Sequence, residues 1–170
     1  MELDPFERAF VALSKAGVEA IVVGMFGVNF YAQNPAETFE TKDVDFLVSP
    51  TVEMAKRALV ALSKEGFTFE ANGEPFVDVS DEAVLQNVLQ FASNIRGVFE
   101  NDVVLDLMFA MKGFTFAELA SDAVRFRVHG VECRVGALEK LIESKRQAGR
   151  PKDLAFLARY EAAAREPKKS

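Results

Sequence analysis

Asp43 and Asp45 stand one residue apart in the run Thr41-Lys42-Asp43-Val44-Asp45-Phe46-Leu47-Val48. In a strand, residues i and i+2 point to the same face, so both carboxylates project together while Val44, Phe46 and Val48 pack on the other side. Adjacent carboxylates repel, and a half-buried pair is tolerable chiefly when a divalent cation or a shared proton compensates it. Such pairs are the usual oxygen ligands of Mg²⁺ in phosphoryl chemistry, and a metal site is the sharper reading. The plainer one is a strand whose aspartates line a solvated edge. A third acid, Asp106, interrupts Val103-Val104-Leu105-Asp106-Leu107-Met108-Phe109, where its leucine neighbours make it costly without a partner such as that metal. Alternation that turns Asp106 to solvent is the competing reading. Asp102, just outside the run, reads as a turn residue after Asn101.

Upstream, Val18 to Val23 reads as a buried β-branched strand leading into Gly24-Met25-Phe26-Gly27 and a helix from Val28 to Ala32. A strand, a glycine turn and a helix present free backbone N–H groups where a phosphate can bind, and glycine lets an anion approach the main chain. The same pattern serves as an ordinary tight strand-to-helix turn.

These patches together resemble the DNA polymerase β-type nucleotidyltransferase superfamily: Gly24-Met25-Phe26-Gly27-Val28-Asn29, then Thr41-x-Asp43-Val44-Asp45, then Leu105-Asp106-Leu107. Within it the chain looks like the small prokaryotic branch of AbiEii-like toxin nucleotidyltransferases. There, stretches such as Leu141-Ile142-Glu143-Ser144-Lys145 and Arg150-Pro151-Lys152-Asp153-Leu154 follow near the C-terminus. The resemblance implies a nucleotidyltransferase fold and Mg²⁺-dependent transfer of a nucleoside monophosphate from an NTP to a hydroxyl on RNA, protein or a small molecule. It assigns Asp43, Asp45 and Asp106 to one or two Mg²⁺ ions, with Asp106 also orienting the attacking hydroxyl. Gly24, Met25, Phe26, Thr41, Lys145 and Lys152 become nucleotide-binding residues, with Asp153 placing one of the lysines, and an antitoxin-like protein becomes a conceivable partner. The chain departs from the pattern at Met25 and Phe26, where the family has small residues, and at Phe39, where it often has arginine. Those departures imply the alternative of a non-catalytic interaction module that has lost NTP binding. A metal-dependent phosphohydrolase would use the same carboxylates.

Other chemistries fall to inventory. Cys133 is the single cysteine, so an internal disulfide and a thiolate cluster are impossible. His129, the only histidine, precedes Gly130 between two strand-like runs and reads as a hairpin turn residue, which leaves no convincing Ser-His or Cys-His pair. Sixteen Phe and no Trp fall mostly in apolar periodic segments and read as core. At 170 residues, 49% hydrophobic and 27% charged, the chain fits one globular domain, spanning 1–165 with a core over 18–135, C-terminal helices over 138–165 and a frayed tail at 166–170. No apolar run reaches membrane-spanning length and no signal-peptide pattern opens the chain, so a cytoplasmic location is expected. The net charge of −6 argues against general coating of nucleic acid. Residues 1–138 carry net −10 and residues 139–170 net +4, so the positive end could face nucleotide across an acidic site or form a solvated helical tail.

The elements that must position these residues are legible in outline. Asp4-Pro5-Phe6-Glu7 predicts a capped helix from Pro5 to Ala16. Pro50 predicts the start of a helix to about Lys64 with Val52, Ala55, Leu59 and Leu62 on one stripe. Phe67-Thr68-Phe69 predicts a short strand before a turn at Asn72-Gly73. Glu82 to Ile95 has helical spacing, yet the family arrangement accommodates a strand over Phe91 to Ile95. A short helix over Phe114 to Ser121, the hairpin around Gly130, a helix from Leu138 to Gln147 and a last one from Lys152 to about Ala164 complete the chain. Strands and helices mixed in this order argue for an α+β or α/β architecture, a mixed sheet flanked by helices.

Overall fold

The computed structural model describes residues 2–165 apart from 77, 92, 93 and 129. The expected tail at 166–170 and the His129 turn lie outside the described residues.

The first helix, α1 (Pro5–Lys15), starts where the sequence places it. Asp4 accepts a hydrogen bond from the Glu7 amide at 2.8 Å, and Glu7 accepts one from the Asp4 amide at 3.1 Å. It stops at Gly17, which takes φ 69° and lets the Gly17 and Val18 amides donate back to Ser14 and Leu13. That closure uses Val18, so the first strand, β1, is Ala20–Val23 and shorter than the expected Val18 to Val23. The helix expected at Val28 to Ala32 begins four residues earlier, as α2 (Gly24–Asn29). Gly24 at φ 68° turns the chain straight from β1 into this helix, with no intervening loop.

After a 3₁₀ turn at Pro35–Glu37 come β2 (Val44–Val48) and α3 (Val52–Lys64). The latter opens two residues after Pro50 because the Thr51 hydroxyl caps the Met54 amide at 3.2 Å. Then follow β3 (Thr68–Ala71), β4 (Glu74–Pro75) and α4 (Glu82–Gln90). Within the ambiguous 82–95 stretch, Glu82–Gln90 is helical, and the strand β5 (Ile95–Phe99) starts only at its last residue. Next is β6 (Asp102–Met108). Asp102 belongs to β6, paired with Phe99, and is not a turn residue. The turn is made by Glu100 and Asn101, both at positive φ, as a two-residue hairpin requires. The rest is α5 (Phe116–Ser121), the hairpin β7 (Val124–Val128) and β8 (Val131–Val135), α6 (Leu138–Ala148) and α7 (Pro151–Arg165).

The strands form one mixed eight-stranded sheet in the order β4-β3-β5-β6-β2-β1-β8-β7. The β2–β6 and β1–β8 pairs are parallel and the others antiparallel. Val44, Phe46, Leu105, Leu107 and Ile95 are all buried, and Phe10 of α1 meets the Phe46 ring edge-on at 5.2 Å. Helix α1 packs on α3 and α3 on α4, while α6 packs on α2 and α7 on α6. No helix among the described residues is long and apolar enough to cross a membrane.

Candidate metal and nucleotide site

Sheet register assembles the site. Val23, Asp45, Asp106, Arg96 and Glu70 are successive partners across β1, β2, β6, β5 and β3, so their side chains share one face as a transverse row. Phe46, Leu105 and Leu107 alternate with them and fill the core on the opposite face. Asp43 lies two residues before Asp45, at the mouth of β2. One oxygen from each of Asp43, Asp45 and Asp106 lies within 4.8 Å of the other two.

These half-buried acids are electrostatically unsatisfied. Burial, with Asp43 and Asp106 adding to it, pushes the Asp45 carboxyl up from 3.8 to about 7, against the pull of Lys145 and Lys152. Burial again leads at Asp106, with Asp43 next, raising it to about 6 against Arg96 and Lys152. Asp106 Oδ1 is enclosed and accepts no hydrogen bond, the Arg96 Nε being 3.7 Å away. An orphaned carboxylate oxygen beside two further carboxylates, with no nitrogen or sulfur donor in the cluster, is a donor set for a hard divalent cation such as Mg²⁺. The residues present therefore fit the ion.

Gly24 is required by the same geometry. A Cβ built there would strike Asp45 Oδ2, so glycine is what lets the carboxylate lie against the β1–α2 junction. The Thr41 hydroxyl donates to the Asp43 carbonyl at 3.1 Å and so shapes the entry to β2. Met25 is half-buried against the core. Phe26 packs into a ring cluster with Phe6 at 5.3 Å, Phe30 at 5.9 Å and Phe10 at 6.3 Å. Phe10 in turn meets Phe46 edge-on, which joins the cluster to the core on the face opposite Asp45.

The cations arrive from α6, α7 and the turn between them. Gly149 at φ 61° ends α6, and the chain re-enters a helix at Pro151. Asp153, 1% exposed, accepts from Arg150 Nε at 2.7 Å and Nη2 at 3.3 Å, and lies 3.4 Å from Lys145 Nζ. Burial alone would raise its carboxyl, but the Arg150 hydrogen bond and the charges of Lys145 and Arg150 outweigh it and hold Asp153 below its ordinary value. Lys145 also sits over the Phe156 ring, 5.9 Å from its centre, and Phe156 meets Phe39 edge-on at 4.7 Å. Asn29 holds Phe39 from both sides: its side chain donates to the Phe39 carbonyl and accepts from the Phe39 amide, each at 2.8 Å.

The structure thus gathers Asp43, Asp45, Asp106, Gly24, Lys145 and Lys152 around one spot and engages the Phe26 ring with Phe6, Phe10 and Phe30. Sequence reasoning missed Arg150 and Arg96. The i,i+3 spacing of Arg150 and Asp153 was a readable signal for the first. Arg96 had none, because its place beside Asp106 depends on the β5–β6 register.

No family model matches the sequence, and no curated protein matches it. Among solved structures, the Megavirus polyadenylate synthase superposes with a TM-score of 0.54 at 12% identity, covering 100% of this chain and 34% of that one. The chain therefore spans about a third of that protein's length. The likeness shows the nucleotidyltransferase fold.

Proposed function

We propose that this chain is a Mg²⁺-dependent nucleotidyltransferase, acting as one unit over residues 1–165, that moves a nucleoside monophosphate from an NTP to a hydroxyl. The observation that carries the reading is the set of three mutually close carboxylates, with the orphaned Asp106 Oδ1 among them, on adjacent strands of this fold. Asp43, Asp45 and Asp106 would hold the ion, which when bound neutralises triphosphate charge and makes the attacked phosphorus more electrophilic. Asp106, beside the ion and on the strand next to Asp45, would orient the acceptor hydroxyl. Lys145 and Lys152 supply positive charge toward the triphosphate, and Asp153 acts as a positioning residue that fixes Lys145 and Arg150. The first-turn amides after Gly24 remain as donors for phosphate oxygen.

A non-catalytic module plugged at the glycine junction is disfavoured by the Phe26 side chain, which is engaged in ring contacts with Phe6 and Phe10 of α1. A phosphohydrolase would differ only in using water as acceptor. The finer assignment to the toxin-type prokaryotic branch, with an antitoxin-like partner and a cytoplasmic location, rests on the sequence patches alone.

Calorimetric titration with each NTP, with and without Mg²⁺, tests the proposal. Metal-dependent heat that Asp45→Asn abolishes is expected. An absence of heat with every nucleotide would sink it in favour of the module, and release of phosphate without any acceptor would favour the hydrolase.

A further inference from the structure

Beside the carboxylates, on the side away from Lys145, lies a cleft of about 620 Å³. Asp43 and Arg96 form its inner end and Lys42 adjoins them, while Phe6 and Phe99 provide apolar wall, and Glu100 and Asp102 line its far end at the β5–β6 turn. Asp102 lies four residues from Asp106 along β6, about 13 Å at the usual strand rise. The cleft is therefore polarised, with cations at the reacting end and carboxylates at the outer end. Arg96 is 59% exposed and pairs with Asp106 at 3.7 Å, beyond hydrogen-bond reach, so its N–H groups make no hydrogen bond among the described residues. Lys42 has no ion-pair partner among the described residues. Most other surface cations are committed: Arg57 to Glu53, Lys140 to Asp122 and Arg146 to Glu143.

We propose that this cleft is the acceptor subsite and that it selects a short acceptor carrying a phosphate near its hydroxyl, with Arg96 and Lys42 as the phosphate-recognising residues. The inference rests on the nucleotidyl-transfer reading and names its second substrate. The triphosphate takes the Lys145, Arg150 and Lys152 side of the carboxylates, so the acceptor enters from the Arg96 side, next to Asp106. A guanidinium with free donors matches phosphate oxygens, and the aromatic walls suit a sugar or other partly apolar body. Glu100 and Asp102 repel a continuing chain of phosphates, which sets a short acceptor against a polynucleotide end. In the transfer the acceptor oxygen bonds to the α-phosphorus and its proton passes to Asp106. The bond from that phosphorus to the bridging oxygen breaks, and pyrophosphate leaves with the electron pair.

The test is calorimetry on the full chain with Mg²⁺ and a non-hydrolysable NTP analogue, titrated with ribose 5-phosphate, with ribose, and with an oligoribonucleotide bearing a free 3′ hydroxyl. Ribose 5-phosphate should bind about tenfold or more tighter than ribose, Arg96→Ala should erase that advantage, and Arg96→Lys should keep part of it. The oligonucleotide should bind more weakly than ribose 5-phosphate, and Glu100→Gln with Asp102→Asn should improve it about threefold. Equal affinity for ribose and ribose 5-phosphate, or no effect of Arg96→Ala, overturns the subsite. Tighter binding of the oligonucleotide to the wild-type chain overturns the selection for a short acceptor. Failure of the NTP analogue itself to bind is a separate result and strikes the transferase reading, because the ribose 5-phosphate titration is also run without it.

Discussion

Replacing Asp45 with asparagine should stabilise the metal-free protein, and only above a definite pH. Burial first, and the charges of Asp43 and Asp106 second, move this carboxyl from 3.8 to about 7 in the folded chain. Below about pH 4 folded and unfolded chains both hold the proton, and the shift contributes nothing. Between there and about pH 7 the unfolded chain releases its proton while the folded chain retains it, so stability falls as pH rises and stays reduced beyond. A shift of about 3 units corresponds to a ceiling of about 4 kcal/mol, and structural relaxation around a half-buried group reduces the expected gain to about 2 kcal/mol. Asp45→Asn removes that ionisation at nearly constant shape. In EDTA near pH 8 its Tm should exceed the wild-type value by about 4–8 °C, and the difference should shrink to near zero at about pH 4. Excess Mg²⁺ should then raise the wild-type Tm and leave the variant unmoved, since a ligand stabilises only the form that binds it. Thermal unfolding followed by circular dichroism reads all of these quantities. A variant no more stable than wild type near pH 8 without metal, or a difference independent of pH, would refute the claim that repulsion and burial strain this carboxylate.

Gly24→Ala should lose Mg²⁺-dependent nucleotide heat and cost about 1 kcal/mol or more, because residue 24 sits at φ 68° and the new methyl meets Asp45; calorimetry and urea unfolding measure the two effects. Asp153→Asn should cost about 1–3 kcal/mol in urea unfolding and raise the KM for NTP more than it lowers kcat, since Arg150 and Lys145 lose their buried anchor. Retention of wild-type KM would separate Asp153 from nucleotide binding. Asn29→Ala should cost about 2 kcal/mol by removing both hydrogen bonds to Phe39, and hydrogen exchange at the Phe39 amide should accelerate. Unchanged exchange there would show that the loop is held by Phe156 instead.

Local patterns in the sequence determined the short-range features. The capping box at Asp4, the alternation that put Asp43 and Asp45 on one face, the lone acid at Asp106 and the stripe of α3 are set by residues within a turn or a strand of one another, so a linear reading finds them. Cap and turn details already moved some boundaries: Gly17 shortened β1, Gly24 drew α2 forward, and positive φ at Glu100 and Asn101 placed Asp102 in β6. What only the tertiary structure decided is which strands are neighbours. Because β2 pairs in parallel with β6, each residue with a partner 61 positions downstream, Asp45 faces Asp106; the β5–β6 register adds Arg96, and the α6–α7 turn brings Asp153, Arg150 and Lys145 to the same spot. The direction of the Phe26 side chain was likewise open until α1 supplied Phe6 and Phe10 to receive it. Pairing between distant segments is a property of the whole packed sheet, stabilised by the burial of Phe46, Leu105 and Leu107 beneath the site, and no local propensity encodes it.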